Sequence, residues 1–423
     1  MKILWVTNSI MPDLAVGMGE KPGVFGGWQF GLAKDLATSG ISLTVVTARP
    51  NKDDFNISKN DINYFLIKSQ KSISKYDSSL EQKWKDIIKK VKPDLVHIHG
   101  TEHAHGLSLI KACPELKYVI SIQGLISVYE RYYKGGITFW EIIKSVTFRD
   151  LIKQQTIWQL QNSFKNRGNK VETEYFSIVN NVIGRTEWDK HHSSVMNPNS
   201  NYHFCNESLR DSFYLEKKWN INKKEDFSIF ISQAGYPIKG MHQVLKAVSL
   251  IKKDFPSVKI KFAGGNILGR ESSLIEALKL KGYGKFLNNL IKKYELQNHI
   301  EYLGILSEIE MRNQYLNSHV FVCPSSIENS PNSLGESQIL GVPCISSYVG
   351  GTPDMIQHNK TGFLYRFEEV EMLAQYLKQI FLNDDMASEI STNGIEVATL
   401  RHDRKTNCVN LKNIYNKIIE LNI

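Results

Sequence analysis

Short runs of branched apolar residues alternate with amphipathic stretches along most of the chain. Lys2 to Thr7 reads as a buried strand, followed by a long loop carrying Gly23, Gly26 and Gly27. A helix pattern then places Trp28, Leu32 and Leu36 on one face from about Trp28 to Ala37 and stops at Gly40, and a second strand, Leu43 to Thr47, comes at once. A strand–helix–strand opening of this kind predicts a parallel sheet with right-handed crossovers. Further strands are predicted at Asp94–Ile98, Tyr118–Ile122 and Ile178–Gly184.

The pattern restarts after the stretch Cys205 to Asp226. Strands are predicted at Phe227–Ile231, Val258–Ala263, Ile300–Leu303, Val320–Val322 and Val342–Ser346, with a helix over Met241–Ile251. The reading is therefore α/β, with two Rossmann-like domains facing each other across a deep cleft. The first spans 1–207 and the second 208–403; a terminal helix over 404–423 is expected to cross the junction. Ligands of open α/β sheets bind beyond the carboxyl ends of the strands, which directs attention to the loops after Thr7, Ile98, Ile122, Ile231, Ala263, Leu303 and Val322.

Composition narrows the classes. At 423 residues the chain is too long for one core, and 42% hydrophobic with 22% charged residues is ordinary globular composition. No apolar run approaches the roughly 18 residues of a membrane span, and Ile3-Leu4-Trp5-Val6 is too short for a signal-peptide core. The five cysteines are scattered without a Cys-x-x-Cys, as expected in a reducing cytoplasm. The net charge of +9 is spread along the chain rather than clustered, so no nucleic-acid partner is expected, although a basic surface suits anionic lipid or phosphate-bearing substrates.

The stretch Pro324 to Glu336 carries the most chemistry. Ser330 is read as an N-cap with Pro331 at the first helical position. Amides of Asn332 and Ser333 at such a helix start favour a phosphate, through their N–H groups and the helix dipole. Glu328 lies before the helix and Glu336 inside it. The two carboxylates either flank an anion site and accept hydrogen bonds from ligand hydroxyls, or are surface glutamates beside a capped helix. In Tyr236-Pro237-Ile238-Lys239-Gly240 the lysine stands between a strand and a helix, placed to reach a phosphate. His97, His99, His103 and His105 fall within nine residues. With Glu102 as the one nearby carboxylate and no cysteine, they are not read as a metal set, and no Asp-x-Asp occurs in the sequence.

These motifs together resemble the GT-B retaining glycosyltransferases of family 4, the glycosyl transferases of group 1. The resemblance is carried by Glu-x7-Glu from Glu328 to Glu336, by Gly341-Val342-Pro343, by Val349-Gly350-Gly351-Thr352-Pro353-Asp354 and by Lys360-Thr361-Gly362-Phe363-Leu364. It implies that Glu328 contacts donor-sugar hydroxyls, that Glu336 holds the nucleotide ribose, and that backbone amides of Asn332, Ser333 and Leu334 meet the diphosphate and sugar. Lys239 is implied to stabilise the leaving diphosphate. The family pattern has an Arg before it in the same loop, where this chain offers Gln233 and Ala234; Arg270 is a candidate substitute. Gly26 and Gly27 match the family's glycine loop, which brings backbone close to the diphosphate. On the acceptor or sugar side the matching positions are His99, expected just past its strand, Gln123, where many relatives have histidine, and Arg185, which either reaches an acceptor or pairs with Glu187.

What the resemblance implies is a metal-independent enzyme of the hexosyltransferase type without a cofactor. It is expected to move a sugar from a nucleotide-sugar, a UDP-sugar first, to a glycan or lipid-linked acceptor in bacterial surface polysaccharide synthesis. A nucleotide-sugar epimerase of the same fold and a non-catalytic sugar-binding module are the alternatives. A nicotinamide-dependent dehydrogenase is excluded by the absence of Gly-x-Gly-x-x-Gly. The aromatic and basic stretch from Tyr129 to Arg167 is read either as amphipathic helices on the cytoplasmic face of a membrane or as helices packing on the first sheet.

Overall fold

The structure, a computed structural model, describes residues 1–23, 26–269 and 279–420. Its chain divides into two compact units. The first comprises Met1–Ser127, Lys165–Asp211 and Arg401–Ile423, and the second Val128–Phe164 and Ser212–Leu400. The stretch 128–164 therefore groups with the second unit, although the sequence reading placed it within 1–207. The terminal helix, Arg404–Glu420, groups with the first.

The first unit is built on an eight-stranded sheet of β1 (Lys2–Val6), β2 (Ser42–Arg49), β3 (Phe55–Lys59), β4 (Ile62–Lys68), β5 (Leu95–His99), β6 (Tyr118–Ser121), β7 (Asn181–Gly184) and β8 (Asn201–Phe204). Their order is β3-β4-β2-β1-β5-β6-β7-β8, parallel throughout except for the β3–β4 hairpin. Ile3, Trp5, Leu43, Val45 and Leu95 are buried in its core. Leu32 and Leu36 of the helix Gly27–Thr38 cover one face, as their spacing predicts. Cys408, Leu411, Tyr415 and Ile418 of the terminal helix join the same core. The Tyr415 hydroxyl accepts the Trp5 indole N–H at 2.9 Å and lies 2.6 Å from His97 Nδ1, so the last helix is tied to the first strand.

Two readings in this unit change. Ile178 ends a helix (Thr173–Ile178) and the strand begins at Asn181. The hairpin of β3 and β4, absent from the expected strands, turns on Asn60 and Asp61, both left-handed at φ 52° and 59°. Two such residues form the tight reverse turn that matches strand twist.

The second unit has a six-stranded, fully parallel sheet of β9 (Glu225–Ile231), β10 (Lys259–Phe262), β11 (Ile300–Tyr302), β12 (Ser318–Cys323), β13 (Cys344–Ser347) and β14 (Phe363–Tyr365). The order β11-β10-β9-β12-β13-β14 reverses direction between β9 and β12. That is the doubly wound order, whose ligand crevice lies beyond the carboxyl ends of the two strands flanking the reversal. Among the described residues, no helix is long and apolar enough to cross a membrane.

Candidate active site

The loops that follow β9 and β12 meet at this reversal. Beyond Ile231 the chain makes a single 3₁₀ turn, Pro237–Lys239, and enters the helix Met241–Ile251 through Gly240 at φ 67°. A Cβ on Gly240 would lie 1.7 Å from the Pro324 carbonyl oxygen, so only glycine permits the approach. The Ser326 amide donates to the Ile238 carbonyl at 2.7 Å, closing the seam. The loop after β13 grips from the other side. Gly350, at φ 51°, passes so close to the Glu328 carbonyl that a Cβ would stand 1.8 Å from it, and the Gly351 amide donates to that carbonyl at 3.1 Å.

This backbone clamp fixes Lys239 and Glu328 beside each other. Lys239 Nζ donates to Glu328 Oε1 at 2.5 Å, and the Ser325 hydroxyl donates to the same oxygen at 2.7 Å. The side chains are 18% and 9% exposed. Burial alone disfavours the ammonium, but the charge and hydrogen bond of Glu328, with Tyr236 beside it, outweigh that penalty and raise the Lys239 pKa above the ordinary lysine value. Lys239 is thus a permanent cation in a site from which water is largely excluded. Beneath it the Cys323 thiol is pushed up to about 12 by burial and by the Glu328 charge, which leaves it unreactive as a nucleophile.

The helix carrying the rest of the motif begins one residue later than its spacing predicts. Pro331 occupies the N-cap position and the helix runs Asn332–Leu340, while the Ser330 hydroxyl lies 3.6 Å from the Met355 sulfur. Asn332 and Ser333 stand in the first turn, where N–H groups have no acceptor within the helix. The Leu334 amide already donates to the Pro331 carbonyl at 2.9 Å, which weakens its claim to a phosphate. Glu336 is buried on the same helix. Gln233 is half-buried and Ala234 buried in the loop lacking the family's Arg, and Arg270 lies outside the described residues.

The remaining candidates belong to the first unit. Gly26 is the N-cap of the helix Gly27–Thr38 at φ 81°, and its Cβ position lies 3.1 Å from the Ser9 side chain. His99 is within β5 and not beyond it. It is 2% exposed, stacked on His97 at 3.8 Å between ring centres, and held near pKa 3 by burial and the charge of Arg185. Gln123 and Arg185 are brought together by Glu207, whose Oε1 accepts from Gln123 Nε2 at 3.0 Å and from Arg185 Nη1. Arg185 is buried in that pair, while Glu187 bonds Lys190 instead.

Tyr129 is a site residue that pattern reading attached to a different stretch. Its phenol is pushed well above the ordinary tyrosine range by burial and by the charge of Glu328, and the Asn329 amide points to it. No local signal could have found it, because it comes to Glu328 from almost two hundred residues upstream. The segment it begins packs on the second unit. The Ser326 hydroxyl donates to the Tyr132 carbonyl at 2.9 Å, and His242 Nε2 to the Gly135 carbonyl at 2.7 Å.

Comparison with known proteins gives the same fold. Residues 212–397 match the family model described as glycosyl transferases group 1, and residues 27–145 match glycosyl transferase 4-like. The chain is 22% identical over 334 residues to spore coat protein SA of Bacillus subtilis, covering 78% of this chain and 80% of that one. It is 23% identical over 213 residues to the capsular polysaccharide biosynthesis glycosyltransferase CapM of Staphylococcus aureus, covering 50% of this chain and 51% of that one. Among solved structures, Anabaena HepE in complex with UDP-glucose superposes with a TM-score of 0.65 over the whole of both chains at 15% identity.

Proposed function

Because the chain belongs to the glycosyl transferases of group 1, with two Rossmann-like units of the GT-B fold, we propose that this enzyme moves a sugar from a UDP-sugar to a glycan or lipid-linked acceptor with retention of anomeric configuration. The observation that carries the reading is the Lys239–Glu328 pair, held by two glycine contacts at the strand reversal of the second sheet. HepE with its bound UDP-glucose supports the donor class, and CapM supports surface polysaccharide synthesis as the setting.

In this reading Lys239 leaves Glu328 for the donor diphosphate. As the bond from the sugar's anomeric carbon to the phosphate oxygen breaks, negative charge grows on the diphosphate, and a cation already in place in a dry site stabilises it without reorganising. Amides of Asn332 and Ser333 add donors at the helix start. Glu328 accepts hydrogen bonds from sugar hydroxyls, and Glu336 from the ribose. The acceptor hydroxyl forms the new bond to the anomeric carbon and passes its proton to the departing phosphate oxygen, so no protein nucleophile is required. Gly26 and Gly27 serve the diphosphate, and His99, Gln123 and Arg185 the acceptor side, where Glu207 holds Gln123 and Arg185 together. Neither a cofactor nor a metal takes part, and the enzyme works in the cytoplasm at the inner face of the membrane.

Incubation with a panel of nucleotide sugars, with and without glycan acceptors, followed by mass spectrometry tests the reading. Acceptor-dependent release of UDP with a product heavier by one sugar is expected. Conversion of the nucleotide sugar without acceptor would make the enzyme an epimerase instead.

A further inference from the structure

Two short helices of the second unit turn their apolar faces outward. In Phe139–Ser145 the large residues Phe139, Trp140 and Ile143 are exposed, while Ile142 and Ser145 are buried. In Phe148–Lys153 the exposed large hydrophobic residues are Phe148, Leu151 and Ile152, and the buried one is Asp150. Exposure of these six side chains runs from 42% to 73%. A surface helix of a water-soluble protein does the opposite, facing its apolar stripe inward.

The face is rigidly presented. Each helix begins with a capping box, Thr138 with Glu141 and Thr147 with Asp150. Both rest on the helix Gly282–Lys293, where a Cβ on Gly282 would lie 2.6 Å from Asp150 Oδ2 and 3.2 Å from the Ser145 carbonyl oxygen. Lys285 Nζ also donates to the Val146 carbonyl at 3.1 Å.

Charge identifies the occupant. The exposed charged residues between Phe139 and Gln154 are Lys144 and Lys153, with Arg149 half-buried beside them. Asp150 is buried, and Glu141 is spent on its cap. Aromatic and aliphatic side chains ringed by cations match the boundary of an anionic bilayer, where rings enter the headgroup layer and lysines meet lipid phosphates. A two-fold contact between copies of this chain would instead gather these lysines against each other.

We propose that the outward face of these two helices docks the enzyme on an anionic lipid surface. The proposal deepens the reading of an enzyme that serves a membrane-located acceptor, and it rests on that reading for its purpose alone. Docking is measured without sugar nucleotide, so it fails or succeeds separately from the transfer reaction.

The test is co-sedimentation of the full chain with phosphatidylcholine vesicles, with and without phosphatidylglycerol. The wild-type chain should pellet with the anionic vesicles and weakly with the neutral ones. Trp140→Ser/Phe148→Ser/Leu151→Ser should lose roughly a hundred-fold or more in partitioning while keeping its thermal unfolding, because these side chains are mostly exposed, from 61% to 73%. Lys144→Glu/Lys153→Glu should lose about 25-fold or more on anionic vesicles alone, at about five-fold per cation removed. Absence of wild-type pelleting, or equal pelleting of the triple variant, would overturn the proposal. A fall in the lipid-free sedimentation coefficient of the triple variant would overturn it too, by showing that the face binds a second copy.

Discussion

Lys239 and Glu328 neutralise each other in this structure, and the proposed reaction requires them to part. Lys239→Met keeps most of the packing and removes the charge. Glu328 is then left buried with the Ser325 hydroxyl as its remaining donor. Removing one partner of a buried pair costs about 3–5 kcal/mol. With side-chain exposures of 18% and 9%, and with Ser325 still in place, the cost should fall near the lower end, about 3 kcal/mol. Glu328→Gln leaves an ammonium facing an amide, at about 2–3 kcal/mol. The double variant removes both charges, so its cost should fall short of the sum by about 2 kcal/mol. Denaturant unfolding of the four proteins measures this coupling. Because Glu328 raises the Lys239 pKa, the stabilisation is fully present below the ordinary lysine value of about 10.4 and is lost only as pH rises through the higher folded value. The coupling should therefore be the same at pH 6 and pH 9. Calorimetry with UDP then separates structure from function. Lys239→Met should lose about 1.5–3 kcal/mol of UDP affinity, whereas Glu328→Gln should keep or gain affinity, since the carboxylate no longer competes for the ammonium. Additive unfolding costs, or equal loss of UDP affinity in both single variants, would refute the exchange.

Glu336→Gln should raise the KM for the donor more than it lowers kcat, because the ribose does not react and its contacts serve substrate and transition state alike; a pure kcat defect in steady-state kinetics would contradict the assignment. EDTA should leave transfer intact, since the sequence has no Asp-x-Asp to hold a divalent ion across the phosphates, and activity restored by manganese or magnesium would reverse that expectation. Tyr415→Phe should destabilise the first unit by about 1–3 kcal/mol, because the buried Trp5 N–H loses its acceptor; an unchanged unfolding midpoint would show that the terminal helix does not depend on this bond. Acid should weaken the first unit more than the second. His97, His99, His103, His105, His203 and His402 are held below their ordinary pKa by burial in the first, against His242 and His319 in the second. A depressed histidine favours the neutral folded state, so its contribution is lost as pH falls from about 6.5 towards the folded value, at up to about 1.4 kcal/mol per pH unit each. Calorimetric scans from pH 7 to pH 4.5 should show the first unit's transition falling faster; equal slopes would contradict it.

The parallel core of both sheets was legible because its strands are short, branched and bounded by glycine or polar turns. Met241–Ile251 matches its expected helix residue for residue. The β3–β4 hairpin was missed because Asn60-Asp61 lacks the glycine that usually marks a two-residue turn, though both residues adopt the same left-handed backbone. The helix after Glu328 starts at Asn332 and not Pro331, since proline took the cap itself with extended backbone. His99 was expected beyond its strand, but β5 continues through it and pairs His99 with Ser121. The placement of 128–164 with the second unit had no trace in the sequence. Its contacts reach far along the chain, the Tyr132 carbonyl to Ser326 and the Gly135 carbonyl to His242, and no local pattern pairs such distant positions.

What locates the chemistry in the second unit is glycine rather than charge. Glu328 and Lys239 stand 89 residues apart on separate loops, and flexible side chains alone would not hold them together. Gly240 lets the first loop press on the Pro324 carbonyl, and Gly350 lets a third loop press on the carbonyl of Glu328 itself. Each contact excludes even a methyl group, so the backbone, and not the rotamer, sets where the carboxylate and the ammonium emerge. A cation delivered from a fixed backbone into a largely dehydrated site acts at close range and low dielectric. The buried carboxylate beside it keeps the Lys239 ammonium protonated.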